Sequence, residues 1–534
     1  MKTIYKQSRI LWAGVLGFFV MSSCTKNFDS LNTNPSKVTQ AQATGDFQYI
    51  AGFLPDMEKN IASPIDYVYQ IQQNLNADIF SGYMASADFG FGPNNTNYFM
   101  RFDWNNQAFD TGNQNIMNDW SKVKQLARPQ DAHFLAIALI LKVEGMHRIT
   151  DIYGPIPYSK YGTNAFFIPY DSQQSIYTRF FTELDTATSS LNAFVKANPG
   201  LKPFAPFDYF FGGDYKQWLK FANTLRLRLA MHIVYADPAT AKLQAEKAVA
   251  DPNGLLNAPS DDVLLNQTNG LAYQNALWNI TNAYQDISLN AIMQSILEGY
   301  HDPREGAYFL KSVDNPVVYE GIRSGITITT PKYINFSLLN VTSATPMQIM
   351  NATESYFLRA EGALRGWNMG SGSAQSLYET GVAASFTDKS VAMPAGYLTD
   401  GTSTAAPYVD PADNTNNVPA NSPYLNNITI KWNAAATFEQ NLQRIITQKW
   451  LAIYPDGQEA WTDFRRTGYP KQFPVIVNNS GGTISTTGYV RRLPYTSSEN
   501  QNNPKGVAIG VAALGGPDNG GTRLWWDANP LIAK

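Results

Sequence analysis

Cys24 is the only cysteine in a chain of 534 residues, so about 510 residues follow it without another thiol. No disulfide framework can exist in that stretch, and whatever it folds into must be held by its core. A body of this length is several times the usual size of one hydrophobic core, which implies two lobes or one large helical array.

The position of Cys24 is informative in itself. Lys2, Lys6 and Arg9 make a basic start, positions 10–21 are almost entirely apolar, and Ser22 and Ser23 are small. This is the three-part layout of a secretory signal, too short to span a membrane. A cysteine at the cleavage point matches a bacterial lipoprotein signal better than an ordinary signal with a chance thiol. Residues 1–23 are therefore expected to be removed, and Cys24 to be lipidated as the first residue of the mature chain. Acyl chains would then anchor it through their buried methylenes. Residues 24–45 are polar, with an Asn34-Pro35 turn, and read as a tether. Residues 46–534 read as the binding body.

Beyond the signal no apolar run reaches spanning length. The formal net charge is -3, which leaves no electrostatic footprint for nucleic acid. Charged residues make up 16% of the chain, against roughly a quarter in ordinary soluble domains. Aromatics are abundant instead, with 29 Tyr, 29 Phe and 11 Trp. Uncharged polar groups beside aromatic rings suit neutral, hydroxyl-rich ligands, although most such rings serve a core.

Helical signals dominate from Asp46 onward. The spacing predicts a buried helix over 132–148, ending near Asp151, and a second opened by Asp171 as N-cap. Asp214 is the expected N-cap of a third, striped by Trp218, Phe221, Leu225 and Leu229, and Pro238 of a fourth. A third pair is expected at 352–367 and 373–386. A fourth begins at Thr437, with Gln440 completing a capping box, and 457–466 supplies its partner. Recurring helix pairs predict a mainly α fold. Its scaffold is a tetratricopeptide-like stack of about four degenerate pairs, with a large loop-rich lobe and few short strands. Long insertions fall at 76–111, 261–286, 300–345 and 387–433, and 480–534 reads as irregular with short strands at most. Loops of such length are usually functional or disordered.

Enzymatic signatures are missing. The four histidines, His133, His147, His232 and His301, show no metal-ligand spacing along the chain, and there is no phosphate loop, dinucleotide fingerprint or nucleophile elbow. Structural or capping roles are expected for all four. A spatially paired set of carboxylates stays open as a glycoside hydrolase reading. Asp410, Asp413, Asn414 and Asn416 cluster in one loop and offer oxygen ligands to calcium, at spacing unlike an EF-hand. No cofactor is otherwise expected. The remaining chemistry is aromatic. Tyr98, Phe102 and Trp104 crowd the first insertion among Asn94, Asn95, Asn97 and Asn105, and Trp278 and Tyr284 sit in the second. A flat ring with a polar edge suits a sugar, and nearly as well a peptide side chain. These five are the candidate ligand residues.

Several segments together resemble one family, the SusD/RagB-like nutrient-binding lipoproteins of the outer membrane. They are 151–158 (DIYGPIPY), 213–229, 299–304 (GYHDPR) and 355–361 with Gly366-Trp367. Further along come 448–450 running to 459–466 (EAWTDFRR), 491–495 (RRLPY) and 522–526 (TRLWW). The resemblance implies a non-catalytic surface protein that captures a glycan or oligosaccharide, or a peptide, and passes it to a SusC-like TonB-dependent transporter. It implies that these motifs, with Asp214, Trp218 and Arg226, are scaffold, and that ligand residues lie on variable loops. A lipoprotein glycoside hydrolase and a purely structural scaffold are the competing readings.

Overall fold

The computed structural model describes residues 47–163, 167–266 and 270–532. Cys24, the signal and most of the tether lie outside the described residues. The chain divides into Met1–Tyr49 and Ile50–Lys534, and the architecture that follows belongs to the second unit.

Eight scaffold helices, numbered α1 to α8, carry the fold. α1 (Ala132–Tyr153) packs on α2 (Gln173–Ala197), α3 (Tyr215–His232) on α4 (Pro238–Ala250), and α5 (Glu354–Leu364) on α6 (Ala374–Asp388). α7 (Phe438–Ala452) lies against α5 and α6, whereas α8 (Gly457–Thr467) lies against the wide-turned stretch Gln70–Asp78 and α3. The fourth pair is therefore split across the scaffold. Gly457 permits the close approach, since a Cβ there would fall 2.5 Å from the Asp78 Cα.

Local signals set most helix starts. Asp214 accepts from the Lys216 amide at 3.0 Å, Asp237 caps α4 ahead of Pro238, and Thr437 and Gln440 close a reciprocal capping box. α1 ends at Tyr153, close to the expected Asp151, where Gly154 at φ 86° closes it. One expectation changes, since Ser172, not Asp171, caps α2. The Asp171 carboxylate is taken instead by the Ser159 amide and hydroxyl, both at 2.7 Å. The C-terminal stretch also differs from expectation, with helices Ser497–Asn502 and Pro504–Leu514 inside it. Thr496 caps the first through the Glu499 amide, and Pro504 occupies the first turn of the second.

The expected scaffold roles hold. Trp218 is buried and donates from Nε1 to Asp208 at 2.8 Å. Arg226 ties α3 to its neighbours, donating to Asp185 on α2 and Gln244 on α4. His133 is sandwiched between Phe134 and Phe194, and His301, at φ 50°, ends the helix Ala291–Tyr300.

At the centre of the stack lies a buried layer of charge drawn from all four pairs. Arg228 on α3 donates to Glu354 on α5 at 3.0 and 2.5 Å. Lys449 on α7 meets Glu354, Glu459 and Asp463 at 3.2, 2.7 and 2.8 Å. Arg148 on α1 spans Glu144 and Asp456. Arg466 on α8 grips both oxygens of Glu361 at 2.6 and 2.8 Å and also reaches Asp463.

The loop lobe holds two short antiparallel ladders. β1 (Met84–Ser86) pairs with β3 (Ile287–Leu289), and β2 (Val263–Leu265) pairs with β4 (Met347–Met350) with a bulge at Val263/Leu264. A small second core forms under these loops from Ala85, Ala87, Ile322, Ile326, Tyr333 and Phe336.

Removing one partner of a buried pair strands the other, at a cost of about 3–5 kcal/mol. Arg466→Leu is therefore expected to lower the unfolding free energy by about that amount in urea titrations. Burial opposes the charge on Glu361, but Arg466 and then Arg365 outweigh it and hold its pKa down at about 2. The folded value lies below the unfolded one, so this carboxylate stabilises the fold above the ordinary Glu range. That contribution is lost as pH falls from about 4.5 toward 2. A variant as stable as the parent would refute the role given to this pair.

Candidate functional site

Two segments remote in sequence meet in the loop lobe. One is Asp66–Tyr69 running into Gln70–Asp78, and the other is Ala276–Asn279 running into Ile280–Tyr284. The β1–β3 ladder lies just beyond both. Asn275 fixes the start of the second segment. Its Oδ1 accepts from the Leu277 amide, its own amide donates to the Ser343 carbonyl, and its Nδ2 donates to the Thr345 carbonyl, each at 2.9 Å. The far end closes at Gln285, left-handed at φ 58°, whose amide returns to the Ile280 carbonyl. That uncommon backbone state turns the chain into β3. Wide turns such as Ile280–Tyr284 displace side chains from regular register and recur at functional sites.

Polar contacts bind the seam. Asn279 donates to the Asp66 carboxylate, and the Tyr67 amide donates to its other oxygen at 2.7 Å. Burial and the neighbouring Asp66 carboxylate raise the Tyr284 pKa. Gln70 donates to Asp286. Burial lifts the Asp286 carboxyl to about 7 against the opposing Gln70 bond, and the neighbouring Asp88 carboxylate adds to the rise.

Beside this seam opens a cavity of about 770 Å³, lined by Ile65, Asp66, Tyr273, Gln274, Asn275 and Asn279 among others. On residues next to that lining stand Tyr67, 62% exposed, the half-buried Trp278 and, beyond them, Tyr284, 42% exposed. Flat rings beside amides and a carboxylate make a surface that stacks on an apolar face and hydrogen-bonds a polar rim.

Of the five sequence candidates, Trp278 and Tyr284 fall at this seam. Phe102 is 64% exposed on the separate turn Phe102–Asn105. Tyr98 and Trp104 are 6% and 7% exposed and are withdrawn from the surface. Their neighbouring amides are consumed internally. Asn94 and Asn97 cap each other's turn, and Asn95 donates to the Leu75 carbonyl and to Asn105. Tyr98 is then left-handed at φ 66°, with its hydroxyl on the Gly488 carbonyl. Trp104 sits under the Arg101 guanidinium at 4.6 Å and against Phe91. Tyr67, Asp66 and Asn279 were not among the candidates, and a tyrosine beside an aspartate in a helical stretch carries no sequence signal for a site. In the suspected calcium loop, Asp410 accepts from Tyr333, Asn416 and the Ala412 amide at 2.7–2.8 Å, while Asp413 caps Thr415. Protein donors occupy those oxygens. Among the described residues no helix is long and apolar enough to cross a membrane.

A helix-pair scaffold interrupted by long loops, with a cavity among them, defines a mainly helical repeat protein. The sequence matches the SusD-like family, described as Susd and RagB outer membrane lipoprotein, over residues 30–527, and the chain belongs to that family. Similar solved structures include a chitin-binding SusD homolog from Flavobacterium johnsoniae. It is 49% identical, with 90% of this chain and 99% of that one covered and a TM-score of 0.86. SusD homologs from Bacteroides vulgatus and Bacteroides uniformis are each 35% identical, with TM-scores of 0.85 and 0.83. They cover 91% and 90% of this chain, and 99% of each homolog is matched. No curated protein matches the chain.

The raised Asp286 carboxyl makes a test of the seam. The folded pKa of Asp286 is raised from 3.8 to about 7, so the native state binds more protons than the unfolded one across that window. Stability is therefore expected to fall as pH rises from about 4 to 7. Asp286→Asn should flatten this slope in urea unfolding, and an unchanged slope would remove the carboxyl pair from the account.

Proposed function

We propose that this chain is a non-catalytic, lipid-anchored surface protein that captures glycans, chitin-type oligosaccharides first among them, and hands them to a SusC-like TonB-dependent transporter. The observation that carries the reading is the placement of Tyr67, Trp278 and Tyr284 at or next to the Asp66–Asn279 seam, beside a cavity of about 770 Å³ of mixed polar and apolar lining. A pyranose stacks its apolar face on such rings while its hydroxyls and acetamido groups meet amides and carboxylate. The likeness to a chitin-binding homolog at 49% identity supports the choice of ligand. Family membership supports lipidation at Cys24 and delivery to a transporter.

The carboxyl arrangement argues against a hydrolase. A glycosidase holds its two carboxyls roughly 5–10 Å apart across the scissile bond. Here Asp286 is engaged by Gln70 with Asp88 as its near neighbour, and Asp66 is engaged by Asn279.

Calorimetric titration of the chain from Thr25 with chitin oligosaccharides, beside cello-oligosaccharides and short peptides, tests the proposal. Saturable binding without cleavage is expected. Tyr67→Ala and Trp278→Ala should each weaken it about tenfold, which corresponds to about 1.4 kcal/mol. Trp104→Ala, a core truncation, should cost about 3–5 kcal/mol of stability and leave affinity unchanged. Cleaved products, or variants that bind like the parent, would overturn the assignment.

A further inference from the structure

The buried charge layer gathers two histidines and an aspartate at one point. His147 and Asp151 stand one turn apart on α1, and His232 is the last residue of α3. All three are buried, and their ligand-capable atoms lie within 4.8 Å of one another. We propose that His147 Nδ1, His232 Nδ1 and Asp151 Oδ2 form a site for a divalent metal ion of the zinc class, inside the helix stack and remote in the sequence from the loop cleft.

Three observations carry this. The first is distance. Asp151 Oδ2 lies 3.3 Å from His147 Nδ1 and 3.4 Å from His232 Nδ1. Charge-assisted hydrogen bonds between imidazolium and carboxylate run at about 2.7–2.9 Å. Bonds of about 2.05 Å to a tetrahedral ion place neighbouring ligand atoms about 3.3 Å apart, which matches both distances from Asp151, and the two imidazoles approach within 4.8 Å.

The second is the outer shell. A ligating histidine commonly donates its other ring nitrogen to a carboxylate, which fixes its tautomer and orientation. His232 has that arrangement, and His147 stands close to it. His147 Nε2 faces Glu144 Oε2 at 3.3 Å and His232 Nε2 faces Glu459 Oε2 at 3.0 Å. The opposite oxygen of Asp151 is held by Trp526 Nε1 and the Tyr177 hydroxyl, both at 2.7 Å. That same hydroxyl lies 3.0 Å from His232 Nδ1 and offers a fourth oxygen.

The third is charge. Two protonated imidazoles would bring two positive charges to this point, and one divalent ion between two neutral rings brings the same. The surrounding pairs of Arg148, Arg228 and Lys449 therefore stay in balance when the ion replaces two ring protons. Soft imidazole nitrogens with one carboxylate oxygen suit zinc over calcium or magnesium.

The test uses the chain from Thr25, because a closed site must load as the protein folds. Refolded from denaturant with excess Co²⁺ and then dialysed, it should retain about one ion per chain, with the visible absorption of tetrahedral cobalt, and Zn²⁺ should displace it. His232→Lys keeps a cation beside Glu459 and Asp151 but removes a ligand. It should fold, by circular dichroism, and lose the ion. Glu459→Gln should weaken retention by about 10–100-fold. Native circular dichroism in the parent without retained cobalt would mean two protonated histidines in a structural ion cluster and overturn the site. Equal retention by a folded His232→Lys chain would place the ion elsewhere and overturn it as well. If His232→Lys does not fold, the cobalt spectrum of the parent and its change in Glu459→Gln decide the question.

Discussion

Everything else in this molecule hangs on a layer of buried charge. Arg148, Arg228, Glu354, Lys449, Glu459 and Arg466 come from helices that are distant in sequence, and each is completed only by residues of another pair. An isolated charge taken from water costs more than any one contact returns, so these side chains are tolerated only when all partners arrive together. That requirement joins degenerate helix pairs, which have no fixed period, into one arrangement. Apolar packing alone would let such pairs slide. A bidentate grip such as Arg466 on Glu361 admits one register. The split of α7 from α8 follows from the same layer, because Lys449 and Glu459 hold the two helices at 2.7 Å while α8 turns its other side to Gln70–Asp78.

The loop lobe inherits its geometry from this frame. Segments 66–78 and 276–286 are about two hundred residues apart, and neither has a core of its own. β1 and β3 align them, Asn275 pins one to segment 343–345, and the Asp66–Asn279 and Gln70–Asp286 bonds close the seam. The cleft is thus assembled by a few directional bonds on a rigid support, as recognition loops on scaffolds usually are. The family match over 30–527 and the likeness to SusD homologs extend across both scaffold and lobe.

The scaffold was legible in the sequence where its signals are local. Asp214, Pro238 and the Thr437/Gln440 box start helices by contacts within three residues, so spacing alone reveals them. Asp171 misled because two acceptable caps stand side by side, and Ser159, which claims Asp171, is twelve residues away. The C-terminal helices were hidden by Gly and Asn around them, although Thr496 with Glu499, and Pro504, are ordinary start signals. The site was legible only in part. Trp278 and Tyr284 stand out as rings in a long insertion. Asp66 and Tyr67 become meaningful only once β1 and β3 bring the two segments together, a long-range pairing that no window of sequence contains.

Aromatic and amide content did not separate rings that face ligand from rings that fill the core, and the structure gives a physical reason. Both insertions interleave rings with asparagines, but the amides are spent differently. In 94–105 they close on their own turn and on the adjacent stretch, through Asn94 with Asn97 and Asn95 with Asn105. A turn that meets much of its amide demand locally, and the rest on buried backbone such as the Leu75 carbonyl, folds over its own rings and draws Tyr98 and Trp104 inward. In 275–284 the amides reach out of the segment, Asn275 to Thr345 and Asn279 to Asp66. A segment whose polar groups are satisfied by a neighbour must lie along the join with that neighbour, and its rings then stand at the join. Tyr284 is exposed for that reason, and Tyr67, next to Asp66 in the facing segment, is exposed as well. The direction in which the amides are satisfied, more than the number of rings, decides which aromatics remain available to a ligand.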